Sequence, residues 1–429
     1  MGIRAIHILV LCLAMKTSTL PGVEAAGPGG PDAADLPAAR PSANDWPWWR
    51  GPNRDDVAAA GQQTPTRWSA SQNVIWKSDI PGRGHSTPCI WGERIFLSVG
   101  EDESQVLLGL DRAAGKLLWR TELNRGRLPR LHPKNSHASG TPACDGELVF
   151  VNLVHHDAMH LAAVSMDGKI AWQTRLGPYT SMHGPGASPA VWGPLVLVAC
   201  DSVKDSFLCG VHRRSGKIIW KTPRPSYRLG TYSSLTVGRV AGRDQLLIHG
   251  PYRIYSHDPL TGTELWTCDG PDESASNTIT LGRDVIYAAA GFPGRNLLCV
   301  RAGGKGDVTG THVVWEKKRD TAYVPSLLLH EGLLYQVEDK GTVTVFDAAT
   351  GKIHYEHRLE GNYSSSPVLA GGLIYVVNEK GLLSAFKPGR SFELVARNDL
   401  ADGGFATPVF LGGRLYLRTL HRLWCIGQK

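Results

Sequence analysis

Histidine, arginine and tyrosine are the residues whose types and spacing in this sequence could do chemistry. His155, His156 and His160 stand together in "HHDAMH", and imidazole suits zinc or copper, although their spacing matches no fixed metal motif. His85, His137 and His183 each precede a Ser-Pro or Thr-Pro pair, in "GRGHSTP", "NSHASGTP" and "SMHGPGASP". Tyr232, Asn277, Tyr323, Tyr363 and Phe405 hold comparable places further along. Between them "NRGRLPRLHPKNSH" (Asn124 to His137) carries Arg125, Arg127, Arg130 and Lys134. Guanidinium groups bind carboxylate or phosphate, and aromatic rings supply flat contact area. Brought together, these residues would make a cationic, aromatic mouth for a polar or anionic small molecule or for a partner's acidic loop. No nucleophile elbow, Walker loop, HExxH or dinucleotide fingerprint stands in a usable context, so no catalytic residue is assigned.

What must position such a mouth is a repeat. "GKLLWRTEL" (from Gly115) returns as "GKIAWQTRL" (Gly168), "GKIIWKTP" (Gly216), "GTELWTC" (Gly262) and "GKIHYEHRL" (Gly351). "GTHVVWEKK" (Gly310) fits with one extra residue, and "NVIWKSDI" (Asn73 to Ile80) fits without the glycine. Trp76, Trp119, Trp172, Trp220, Trp266 and Trp315 recur at steps of 43 to 53 residues. Each is preceded by two β-rich runs around a Gly turn, as in "GTPACDGELVFVNL", and by a third run such as "VTVFD". Four strands at this period mean a β-propeller.

First strands begin near Ser86, Gly140, Ala187, Ser233, Asn277, Ser326, Ser365 and Ala406, which predicts an all-β, eight-bladed propeller of four-stranded antiparallel blades over 73–429. The last unit stops after three strands, so the strand at Asn73 to Ile80 is expected to complete it and close the ring. The six tryptophans are read as blade-docking residues that fill the wedge between neighbours. If first strands run downward, His85, His137, His183 and the tyrosines share one face with "HHDAMH". "GGKGDVTGT" (Gly303 to Thr311) is then a lengthened turn on the other face.

Composition bounds the rest. The chain has 429 residues, 20% charged and 42% hydrophobic, with a net charge of +7, which suits a soluble globular protein rather than a nucleic-acid binder. Residues 1–26 read as a signal peptide: Arg4, then the short apolar run "AIHILVLCLAM", then small residues at Val23 to Gly27. Residues 27–45 are a Pro/Ala-rich linker. No later segment is long and apolar enough to cross a membrane as a helix, so the exported protein is expected in the periplasm or outside the cell. The seven cysteines beyond the signal show no CxxC pair and are read as small buried hydrophobes, with one disulfide left open for an exported protein.

The G-[KT]-x-x-W ending and the [ST]-P opening resemble the pyrroloquinoline-quinone-type propeller repeat, over roughly 73–427. Two groups carry such blades: quinoprotein dehydrogenases, which bind the quinone and calcium on the axis, and non-enzymatic relatives such as the propeller subunit of the outer-membrane β-barrel assembly machinery. The dehydrogenases typically carry adjacent cysteines and long insertions; this sequence has neither. The resemblance therefore implies the fold and no catalytic residue; it leaves pyrroloquinoline quinone open as a cofactor that no vicinal cysteine pair supports. It points to a non-catalytic scaffold for a protein partner of the cell envelope or a small ligand, with a quinone-dependent oxidoreductase as the alternative.

"WPWWRGPNRD" (Trp46 to Asp55) resembles a segment found near the start of exported bacterial proteins of the second kind. Residues 46–72 are expected to form a Trp-rich clasp on the face away from the histidines. Trp46, Trp48 and Trp49 would bury against blade edges, and Arg50 would meet a carboxylate or strand-end carbonyls.

Overall fold

A computed structural model describes residues 36–226 and 231–428. The expected signal at 1–26 and the linker up to residue 35 lie outside the described residues. The eight sheets form eight blades, each starting at the axis. Blade 1 comprises Cys89–Trp91, Arg94–Gly100, Ser104–Asp111 and Leu117–Arg125. Blades 2 to 7 follow in chain order, beginning at Ala143, Ala190, Thr236, Thr280, Leu328 and Val368. Blade 8 has Val409–Leu411, Arg414–Arg418 and Arg422–Ile426, and takes its outer strand, Val74–Asp79, from the N-terminal side. Val74 pairs with Ile426 and Asp79 with Arg422, so the ring closes by hydrogen bonds rather than by abutting edges.

Burial follows position in the blade. Second and third strands are nearly all buried, as in Leu195–Cys200 and Phe207–His212. Outer strands alternate, as in Val313–Lys318, because one face meets the next blade and the other meets water. Every outer strand also carries a register shift one residue before the Trp position, for example between Val74 and Trp76. The bulge twists the free edge and blunts it against further pairing.

The repeat motif is a docking device. Trp76 lies against Gly115 of the next blade and donates its indole N–H to Arg112 O at 3.1 Å. A Cβ on Gly115 would sit 2.4 Å from that ring, and the residue has φ +69°. Two residues after the tryptophan, Ser78 Oγ donates to Gly115 O at 2.6 Å. The same pairing joins Trp119 and Thr121 to Gly168, and Trp172 and Thr174 to Gly216. Trp220 packs on Gly262, and Trp315 on Gly351 with its N–H on Ala348 O. Trp266 departs: it is wholly buried and donates to Gln245 Oε1 within its own blade.

The cause lies in the segment expected to be a long turn. Gly306–Asp307 pairs in parallel with Trp266 and Thr267, giving blade 4 a fifth strand, and a short helix, Thr309–His312, returns the chain to blade 5. The added residues let the turn reach back to the neighbouring edge and cover Trp266.

Candidate functional site

The hydroxyl of the [ST]-P opening ties the inner strands into a ring. Thr87 N donates to Thr141 Oγ1, Thr141 N to Ser188 Oγ, and Ser188 N to Ser234 Oγ, at 2.9–3.0 Å. On the other side Thr278 N donates to Ser326 Oγ, Ser326 N to Ser366 Oγ, and Ser366 N to Thr407 Oγ1, each at 3.0 Å. Each link satisfies a buried amide that no strand partner reaches.

Above this ring is an axial cup of about 120 Å³, open to one face. Its wall includes the ring hydroxyls and the residues two positions before them: His85, Ser139, Tyr232, Ser276, Ser364 and Phe405 among others. Residues i and i−2 of an extended strand point the same way, so both sets face the axis. Trp49 also lines the cup, and its indole N–H donates to Thr278 Oγ1 at 2.8 Å.

Trp49 belongs to the N-terminal segment, which crosses the opposite face and rises into the axis. Trp46 pairs with Ile90 of blade 1, and Pro47 O accepts from Cys144 N of blade 2. Arg54 donates to Val191 O of blade 3, and Asp56 and Ala58 bond the Leu369 backbone of blade 7. Arg50 is buried and forms an ion pair with Asp56 at 2.6 Å while donating to Thr280 Oγ1 and to Leu327 O. Burial lifts the Asp56 carboxyl to about 6 although Arg50 opposes the rise. The segment therefore bonds inner strands around the ring and forms a plug, where contact with blade edges was expected. Further along, Gly371 and Gly413, at turns of blades 7 and 8, lie against Gln62, Gln63 and Thr64.

The expected mouth residues divide. His85 lines the cup edge-on to Phe405, with ring centroids 4.5 Å apart. Its ring nitrogens lie near the backbone of Gly84 and Lys134 without closing a hydrogen bond of normal geometry. Burial, reinforced by Arg418 and Arg83, holds it down at about 3, so the ring is neutral. Tyr232 also lines the cup. His183 stands outside it, 5.7 Å from the Tyr232 ring and 5.2 Å from that of His132. His137 stands outside the cup, between a crevice of blades 1 and 2 lined by Gln105 and Leu153 and an open hollow of about 350 Å³ lined by Arg83 and Leu131. Tyr323 is half-buried, its hydroxyl 3.2 Å from Ser274 Oγ. Tyr363 is buried in the blade core and does not reach the mouth. The connections before the inner strands differ in length, so similar places in sequence are different places in space. Counting back two from each ring hydroxyl would have found Ser139, Ser276 and Ser364.

The basic loop is a strap rather than a row of free cations. Arg125 pairs with Glu122 at 2.6 Å and Arg127 with Asp157 at 3.0 Å, while Arg130 is exposed. Lys134 reaches Glu379 of blade 7 at 3.0 Å, and Pro133 O accepts from Arg83 at 2.6 Å. Asn135 Nδ2 donates to His183 O at 2.7 Å. The strap thus spans the mouth from the blade 2–3 connection to blade 7.

His155 and His160 stack at 3.8 Å, and His155 Nδ1 meets His156 Nδ1 at 3.0 Å. Among the described residues no group of three or more His, Cys, Asp or Glu is arranged to hold a metal ion. Cys89, Cys144, Cys200, Cys209, Cys268, Cys299 and Cys425 are all buried free thiols. The axial residues also do not fit pyrroloquinoline quinone with calcium. That cofactor carries three carboxylates and a divalent ion, and among the described residues the cup wall has no Arg, Lys, Asp or Glu to meet them. Its volume is below the roughly 150 Å³ that takes one benzene ring, whereas the quinone is tricyclic.

A family model described as outer membrane protein assembly factor BamB matches residues 69–246 and 251–390. Among solved structures, BamB from Moraxella catarrhalis superposes with a TM-score of 0.60 at 16% identity, over 83% of this chain and 97% of that one. Quinohemoprotein alcohol dehydrogenase from Comamonas testosteroni gives 0.66 at 12% identity, over 90% and 80%. The computationally designed Ika8 protein gives 0.57 at 12% identity, over 85% and 100%. At these identities the likeness to solved structures is one of fold. No curated protein matches this chain.

Proposed function

This chain belongs to the family described as outer membrane protein assembly factor BamB, and from that premise we propose that it is an exported, non-catalytic scaffold that binds a protein partner of the cell envelope through the face bearing the cup. The observation that carries this reading is the placement of exposed large apolar side chains. Of the ten large apolar side chains exposed among the described residues, six lie on outer strands and Leu260 on the opposite face, while Met182, Tyr252 and Phe292 are 47%, 49% and 50% exposed away from both. All three lie on the cup face: Met182 in the connection between blades 2 and 3, Tyr252 and Phe292 in second-to-third turns of blades 4 and 5. Large rings and methionine anchored on a polar rim are what protein interfaces bury at their centre. The opposite face is partly covered by the chain's own residues 44–64, which favours the cup face as the one left for a partner. Among the described residues no helix is long and apolar enough to cross a membrane.

The test is photo-crosslinking from Phe292 in intact envelopes, with Leu260 on the opposite face as control. Discrete adducts from Phe292 and none from Leu260 are expected. Adducts from Leu260 alone, or from neither, would overturn the reading. Dye-linked oxidation on adding pyrroloquinoline quinone and calcium would establish the oxidoreductase instead.

A further inference from the structure

We propose that the axial cup binds one uncharged six-membered polyol ring, the pyranose of a neutral carbohydrate. Three features of the wall define this chemistry. The first is size. About 120 Å³ is less than the roughly 150 Å³ that encloses a single benzene ring, so the open cup takes at most one ring seated part-way, with its upper side and the rest of any chain in the mouth.

The second is hydrogen-bonding capacity. Thr141, Ser188, Ser234, Ser366 and Thr407 each accept a backbone N–H, and Thr278 accepts the Trp49 indole. Among the described residues none of these six hydroxyls donates a hydrogen bond to a protein acceptor, so their protons are left for something on the axis. A hydroxyl keeps a second lone pair after accepting once, so each can both give to and take from a ligand O–H. A ring of such groups around an axis matches a disc whose own hydroxyls radiate outward. His85 contributes ring surface rather than a donor or acceptor, because both of its nitrogens are buried near the backbone of Gly84 and Lys134.

The third is the pairing of aromatic faces with a wall that, among the described residues, carries no formal charge. Trp49, Tyr232 and Phe405 offer flat apolar surface to the C–H faces of a sugar. The charges just behind the wall are already engaged. Arg418 donates to Ser86 Oγ at 2.5 Å and to Ser98 O at 2.7 Å, and Glu379 holds Lys134 and accepts from Ser364 Oγ. A charged ligand would lose its hydration without gaining a direct counter-ion, whereas a neutral polyol exchanges water for hydroxyls.

Ligand-observed saturation-transfer NMR on the purified protein tests this, using methyl glucoside, glucuronate and a neutral glucose trisaccharide. Ser276→Phe is the companion variant. Ser276 lines the cup and makes no hydrogen bond with another described residue, so the phenyl ring fills the space while the hydroxyl ring stays intact. Saturation transfer to the methyl glucoside ring is expected, with affinity at least about tenfold lower for glucuronate and for the variant. Transfer to the terminal residue of the trisaccharide identifies a chain end as the natural source; transfer to methyl glucoside alone identifies a free monosaccharide. Glucuronate binding as well as the neutral sugar, unchanged binding in Ser276→Phe, or no transfer at all would overturn the proposal. If no sugar binds and Ser276→Phe abolishes the Phe292 adducts, the cup takes a partner's loop. Phe292 adducts without any sugar binding would leave the scaffold reading standing and remove only this one.

Discussion

Trp49 donates its indole N–H to Thr278 Oγ1 at 2.8 Å, joining positions 229 residues apart. The contact makes the N-terminal segment part of the axial wall instead of a cover laid outside it. Trp49→Ala is expected to lower unfolding stability by about 2–4 kcal/mol, from lost burial and a lost hydrogen bond. Trp49→Phe should cost about half as much. Urea unfolding followed by circular dichroism measures both, and an effect of Trp49→Ala within 0.5 kcal/mol would mean the plug is not held at this point.

Arg50 and Asp56 form a buried pair 2.6 Å apart. Removing one partner leaves a desolvated charge, so Arg50→Ala should cost about 3–5 kcal/mol. The double variant Arg50→Met with Asp56→Leu should be less damaging than Arg50→Ala, because no ion is then left alone. A double variant worse than the single one would contradict this account of the plug.

Gly115 and Gly372 separate conformation from docking. Both have positive φ, +69° and +76°, but a Cβ at Gly372 meets nothing within 4 Å, whereas at Gly115 it meets the Trp76 ring at 2.4 Å. Gly372→Ala should cost about 1–2 kcal/mol for backbone strain alone. Gly115→Ala should cost a further 1–3 kcal/mol, roughly the price of overpacking. Equal losses in thermal unfolding would show that the tryptophan seat is soft.

Acid should weaken the fold well above the ordinary carboxylate range. Burial holds His85 and His249 at about 3 and His257 at about 4, below the usual 6.5. A base kept neutral by folding contributes fully above pH 6.5, and that contribution is lost as pH falls toward the folded value. Each such histidine removes up to about 1.4 kcal/mol per pH unit. Asp56, raised from 3.8 to about 6, acts in the opposite sense and gains as pH drops from 6 toward 4. His137, His155, His160, His183 and His357 are lowered as well, and Asp55, Asp201, Glu338 and Asp339 are raised beside Asp56. Eight groups against five predict a falling Tm from pH 6.5 to 4.5, and His249→Gln should make the slope shallower. A flat or rising Tm in that window would refute it.

Much of the architecture was legible because each repeat residue acts on its nearest neighbour. Gly115, Trp76 and Ser78 make one contact, and Gly168, Trp119 and Thr121 make its copy one blade on. A pattern of that kind survives in a one-dimensional reading. The candidate site was less legible. His85 and Tyr232 face the cup, but Tyr363 turns into the core and His137 stands outside the cup, because their connections have different lengths. The strap misled for another reason: its cations were visible, while of the carboxylates that meet them Glu122 stands just outside the loop and Asp157 and Glu379 lie further along the chain.

By itself the sequence determined eight four-stranded blades and a ring closed by Val74–Asp79, since period, turn glycines and tryptophans are local and repeated. Tertiary structure alone decided which residues converge on the axis and that Trp49 and Arg50 rise into it. Those contacts span 137 to 277 residues and occur once, so no periodicity announces them; they form where eight inner strands leave amides, hydroxyls and carbonyls that a single unpaired segment can satisfy.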